Sequence, residues 1–253
     1  LFHGLRWDEW VTMEPLLHER LPRHRAAQAQ PMLALLPTGP PYNTAAIILG
    51  RFPALGDSGA VGAMLSERLA PEGVPVAGAV STPNLSMPDG ARGVLLANVS
   101  VLETGVTKTR PTGAARDEIV AHARARLGAF LDSIPSRATV FAVSNGGTTR
   151  VRGPASTVKP RPVTTHTRWV GLADVGKRDG LPSDVAYLSA EAIRLPNPAV
   201  ARCAFGYPGV WFASDEREVS TQYVQGGISM AEMIVPCAVY RSRRRPRLAP
   251  SGV

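Results

Sequence analysis

Between Trp7 and Leu21 the apolar positions fall at helical spacing. Trp7, Trp10, Val11, Leu17 and Leu21 share a stripe with Glu14, which predicts an amphipathic helix after the turn at "HG". The preceding "LF" reads as the tail of a strand. "PMLALLP" is a short apolar run bounded by prolines and predicts a buried strand. "YNTAAIILG" predicts a short helix closed by Gly50, and "SGAVGAMLSERLA" predicts a second. "GVLLANVSVLE" is continuously apolar, as a central parallel strand would be. In "AARDEIVAHARARLGAFLDSI", Ile119, Val120, Ala123, Leu127, Phe130 and Leu131 line one helical face. "ATVFAVSN" reads as a further buried strand ending in the turn "NGG", and "GVWFAS" and "EMIVPCAVY" as late strands. Ser229 and Glu232 have capping-box spacing, so "SMAE" is expected to open a helical turn.

Strands alternating with helices predict an α/β fold, a mostly parallel central sheet with helices on both faces. Residues 147–182, rich in Thr, Pro, Gly and Arg, interrupt the alternation and read as a loop-rich insertion or small lobe. A single domain is expected over residues 1–240. Residues 241–253, "RSRRRPRLAPSGV", read as a basic, disordered tail with nucleic-acid contact as its minority use.

Composition changes this picture only a little. A chain of 253 residues is long enough for one full core. The formal charge of +8 favours attraction to polyanions such as nucleic acid or nucleotide, although Arg stands for Lys almost throughout, which also fits compositional bias. Cys203 and Cys237 make neither a disulfide framework nor a metal motif and are expected to be small buried groups in a reducing compartment. No apolar run reaches the roughly 18 residues that a membrane span needs, so a cytoplasmic location is the expectation. Leu1 in place of an initiator Met reads as the start of an excised domain.

Ligands of parallel sheets bind beyond the carboxyl ends of the strands. Five segments are expected to meet there: "FHG" at 2–4, "LPTGPPY" at 36–42, "ANVSVLETG" at 97–105, "SNGG" at 144–147 and "QGG" at 225–227. Together with "GLRWDEW", "LLPTGPPYNTAAIILGRFP" and "QGGISMAEMIVP", these segments give the chain a resemblance to the PglZ domain over nearly its whole length. That family is a branch of the alkaline phosphatase superfamily, found in phage-defence systems of the BREX type and in some response regulators. The resemblance implies an alkaline-phosphatase-like fold and, in active members, two zinc ions that activate a Thr nucleophile and clamp the phosphoryl oxygens.

Zinc takes carboxylate oxygens, neutral imidazole or thiolate, and the chain departs from the family pattern at each such position. The metal Asp of the first strand end falls on His3, the nucleophilic Thr on Pro40, and the Arg of "Y-A-R-N" on Thr44. Asn98 is present, but residues 98–110 hold neither Asp nor His. "S-D-H-G" has become "SNGG", placing Asn145 and Gly146 at two ligand positions, and the last His falls on Gln225. Scaffold positions such as Gly4, Arg6, Thr38, Tyr42, Gly50, Gly226, Gly227, Glu232 and Pro236 still fit. The implied reading is a catalytically degenerate domain with no cofactor, whose vestigial pocket holds His3, Arg6, Thr38, Pro40, Asn98, Asn145, Gly146 and Gln225. It would serve as an interaction or structural module, its partners being proteins of a defence or signalling system. Two alternatives stand beside it. One is a metal-dependent phosphohydrolase or phosphodiesterase with a remodelled site, for which His3, His166 and Glu103 are the rescue candidates. The other is nucleic-acid binding through a basic lobe carrying Arg150, Arg152, Lys159, Arg161 and Arg168.

Overall fold

The computed structural model describes residues 1–39, 42–54, 57, 60–100, 115–157, 162–173, 181–213 and 218–243. In chain order the elements begin with α1 (Trp7–Arg20), β1 (His24–Leu33), α2 (Tyr42–Leu49), α3 (Val61–Leu69), β2 (Val76–Ser81), β3 (Val94–Asn98), α4 (Ala115–Ser133) and β4 (Val140–Val143). They continue with β5 (Thr149–Pro154), β6 (Thr164–Thr165), β7 (Trp169–Leu172), β8 (Val185–Ser189), β9 (Arg202–Gly206), β10 (Glu218–Val224), α5 (Met230–Met233) and β11 (Ile234–Ser242).

The central sheet is assembled around the first residues of the chain. β2 and β3 pair in parallel, while β11 lies antiparallel between β4 and β1. Phe2 bridges Val99 on one side and Ser144 on the other, both in parallel. Residues 1–3 therefore join the two parts, and β11 alone runs against the common direction. The expected α/β sheet is present, and the tail of strand read from "LF" is its middle.

Alternation of side chains decides what covers each face. Ala97, Val140, Ala142, Ala238 and Tyr240 point to one side, where α1 and α4 bury Trp10, Met13, Leu16, Leu17, Ala123, Leu127 and Leu131 against them. Val11, assigned to the apolar stripe from its spacing, is exposed, and Met13 and Leu16 take its place in the core. On the other side Gly62 of α3 packs on Ala79 of β2, so helices do lie on both faces.

Two expected strands differ from their readings. The run "PMLALLP" is the end of a longer strand that starts at His24, and every residue of β1 beyond His24 is exposed. Among the described residues β1 pairs only with β11, and as the edge strand it leaves its apolar residues exposed; Leu33 is 68% exposed. Pro31 lies opposite Pro236, whose carbonyl accepts from the Ser144 amide on the far side. The Pro31 pair is thus a non-hydrogen-bonded one, and its imide nitrogen points out along the sheet edge. The described residues of "GVWFAS", 209–213, form no strand, although Trp211 and Phe212 are buried; Phe212 makes an isolated bridge to Ser156.

Segment 147–182 holds more order than its composition implies. It contributes β5, which pairs with β10, and β6 and β7 of a four-stranded antiparallel sheet ordered β6–β7–β9–β8. Val170, Ala204, Cys203 and Phe205 are fully buried in that second sheet. The tail beyond Arg243 lies outside the described residues.

Candidate functional site

Among the described residues, the segments at 2–4, 36–39, 144–147 and 225–227 converge, with Val99 bonded to His3, and glycines make the approach possible. At Gly146, with φ of +155°, a Cβ would stand 2.5 Å from the Thr38 carbonyl oxygen. At Gly4, with φ of +71°, it would stand 2.6 Å from Gln225 Nε2. At Gly146 only a residue without a side chain lets the two backbones meet, whereas at Gly4 the neighbours are the side chains of Gln225 and Thr148. The Gly226 amide donates to the Thr38 carbonyl at 3.1 Å, and the Thr38 hydroxyl donates to the Gly227 carbonyl at 2.8 Å. Loop 36–39 is also held from behind, because Asn43 accepts from the Leu35 amide and donates to the Leu35 and Pro37 carbonyls.

Asn145 sits at the centre, fully buried at the end of β4. Its Nδ2 donates to His3 Nδ1 at 2.8 Å and to Thr44 Oγ1 at 3.0 Å. An amide nitrogen is only a donor, so His3 Nδ1 is the unprotonated nitrogen of its ring. Asn145 Oδ1 and Gln225 Nε2 are buried without a hydrogen-bond partner, as is Asn98 Oδ1 at the end of β3.

Below it lies the one fully buried ion pair among the described residues. Arg168 Nε meets Glu232 Oε1 at 3.1 Å, with both side chains at 0% exposure. Glu232 also accepts from the Gly227 and Ser229 amides, closing the capping box read from "SMAE". Arg168 further donates to the Gly206, Tyr207 and Val210 carbonyls. Every polar group of the pair is thereby engaged, the condition under which buried charge is tolerated. Assigning Arg168 to an anion-binding lobe is therefore incorrect: its guanidinium is a strut that fixes loop 225–229 to the second sheet.

Of the pocket residues, His3, Thr38, Asn145, Gly146 and Gln225 are brought together. Arg6 is turned to the rim of α1 and pairs with Asp8, its backbone amide bonded to Glu9. Asn98 is the last residue of β3, beside residues 1–3. Pro40, Glu103, Lys159 and Arg161 lie outside the described residues. Arg150 and Arg152 are exposed on β5. His166 stacks on Trp169 with ring centroids 4.4 Å apart and bonds Thr164, so it takes no part in the His3 cluster. Sequence reasoning missed the joining of Thr44 to His3 through Asn145, because the role of a Thr in a helix's first turn depends on which strand end faces it.

The chemistry available follows from these partners. Thr38 gives its proton to a backbone carbonyl, and Thr44 accepts from an amide, so neither hydroxyl has a general base in contact among the described residues. The zinc pair implied by the family resemblance does not fit: the gathered side chains are carboxamides, hydroxyls and one imidazole whose Nδ1 is engaged, and among the described residues no group of three metal-ligating side chains forms.

No family model matches the chain, and no curated protein sequence matches it. Solved structures do. Human ectonucleotide pyrophosphatase/phosphodiesterase 5 superposes with a TM-score of 0.61 at 11% identity, covering 94% of this chain and 86% of that one. The murine enzyme, as an inactive threonine-to-alanine variant in complex with AMP, gives 0.58 at 11% identity over 94% and 86%. Phosphonoacetate hydrolase from Sinorhizobium meliloti 1021, in complex with phosphonoformate, gives 0.60 at 11% over 99% and 90%. The fold is alkaline-phosphatase-like. At such identity the likeness is one of architecture, and the alkaline-phosphatase-like fold places the strand-end cluster at the carboxyl ends of its parallel strands. No helix among the described residues is long and apolar enough to cross a membrane.

Proposed function

We propose that this domain keeps the scaffold of a phosphodiesterase but has a strand-end site rebuilt as a neutral hydrogen-bonded plug, and that it acts through a protein partner rather than by hydrolysis. One observation carries the reading: the Asn145 amide ties His3 and Thr44 together at a position where the resembled family places an acid. A carboxylate there would draw a cation, whereas an amide donates to the imidazole nitrogen that would otherwise bind one. Loop 225–229 supports the same reading, since Gln225 lies over Gly4 and Gly39 and fills the space a ligand would need. From the sequence resemblance, the partner is a protein of a defence or signalling system.

The test is metal analysis of the purified domain after incubation with excess zinc, paired with turnover of bis(p-nitrophenyl) phosphate. Substoichiometric zinc and no turnover above buffer are expected. Two zinc ions per chain with zinc-dependent turnover would instead establish a remodelled phosphodiesterase.

A further inference from the structure

We propose that the open face of the central sheet, formed by β1, β11 and β4, binds single-stranded nucleic acid. The face is defined by register. Phe141 lies opposite Val239, which lies opposite Gln28; Val143 lies opposite Cys237, opposite Gln30; and Arg25 lies opposite Arg241. Cross-strand partners share a face, so these side chains stand together on the side away from α1 and α4. On this side α3 packs on β2, and Val235, at the far end of β11, is buried. Beyond them Phe141 is 67% exposed and Met32 43% exposed.

One end of this face is strongly cationic. The Arg25 and Arg241 side chains are placed directly opposite each other, and the Arg243 amide bonds the Arg23 carbonyl one step further on. Arg137, in the turn before β4, lies at the same end because Val140 pairs with Tyr240. Arg243 Nε donates to the His24 carbonyl, but none of these five arginines is paired with a carboxylate among the described residues. Strands β1, β4 and β11 contain no Asp or Glu at all, and the sequence continues from Arg243 into Arg244, Arg245 and Arg247. Like charges directly opposite on a ladder are unfavourable, so the arrangement calls for an anion between them.

The rest of the face selects the kind of anion. Along a strand, side chains of one face repeat every 6–7 Å or so, a spacing suited to successive phosphates of an extended strand. Phe141 stands beyond the arginines as a flat, exposed ring on which a base can stack, and Gln28 and Gln30 offer donors and acceptors to base edges. The exposed Gln28 and Gln30 amides would lose their hydrogen bonds if pressed into lipid, and an acidic peptide would leave the ring unused. The proposal is independent of the strand-end site and differs from the lobe carrying Arg150 and Arg152.

Fluorescence anisotropy with labelled single-stranded DNA and RNA of about 12 nucleotides tests it on the whole chain. Binding at low salt is expected. Arg25→Ala with Arg241→Ala is expected to weaken it at least tenfold and to reduce the salt slope by about 1.4, two phosphate contacts at about 0.7 each. Phe141→Ala is expected to weaken binding by about tenfold with the slope unchanged. Arg150→Ala with Arg152→Ala should leave both unchanged. All of these residues are exposed, and an unaltered melting temperature checks each fold. Absence of oligonucleotide binding overturns the proposal, as does tighter binding to phosphatidylserine vesicles or polyglutamate. Loss on truncation after Arg243 without any effect of the sheet variants would overturn it too.

Discussion

Asn145 shows how one side chain can decide what a strand end does. Its amide holds His3 and Thr44 at 2.8 and 3.0 Å, and its own oxygen has no partner in the buried cluster. Asn145→Ala would strip two groups of their donor, at about 1–3 kcal/mol for the buried polar atoms left unmatched. Urea unfolding should therefore show a lower midpoint with an unchanged slope; an unaltered midpoint would mean that water replaces the amide without loss. Cys203 illustrates the opposite case, a group silenced by its surroundings: burial pushes its thiol up to about 12. As read from the sequence, it behaves as a small apolar residue.

At the scale of elements, the capping box of α5 does more than start a short helix. Glu232 satisfies the Gly227 and Ser229 amides and neutralises Arg168, so three segments depend on one carboxylate. Glu232→Ala leaves a buried guanidinium without its counter-charge, and a loss of about 3–5 kcal/mol is expected. Glu232→Gln should lose less, since the amide oxygen still accepts; equal losses in the two variants would refute the electrostatic part of the account. The capping box was legible in the sequence because its residues are three apart. Its partner was not, because Arg168 is 64 positions away and sits in a stretch whose Thr, Pro and Gly content reads as loop. The same limit applied to β1: "HRAAQAQ" lacks alternation because a strand exposed on both faces has no reason to alternate. By contrast α1, α4 and β4 were readable, being elements that bury one face. Phe141 is the exception, since an apolar run cannot say which of its two sides will be covered.

For the whole molecule, the convergence of strand ends was legible from the order of short motifs, and the layer that closes around them was not. Two exposed ion pairs contribute to the acid response, one local to a loop and one joining α4 to α1. Arg51 holds the Asp57 carboxyl below its ordinary range, and Arg124, on α4, does the same to Glu19 on α1. A carboxyl with a lowered folded value stabilises the fold fully above its unfolded value, near 4, and this contribution disappears as the pH falls through the folded value. Stability is thus expected to hold from neutral pH to about 5 and to fall below that. Arg51→Gln with Arg124→Gln should flatten the fall in urea midpoints measured between pH 5 and 3, and concentrated salt should shrink the difference because both pairs are exposed. An identical decline in the variant would remove these pairs from the explanation. Finally, the imide nitrogen of Pro31 leaves a gap in the row of donors along the outermost strand. A neighbouring copy trying to zip onto that margin would meet a missing rung near the end of the strand. The margin therefore discourages end-to-end growth into fibres while the broad face beside it stays free for a ligand.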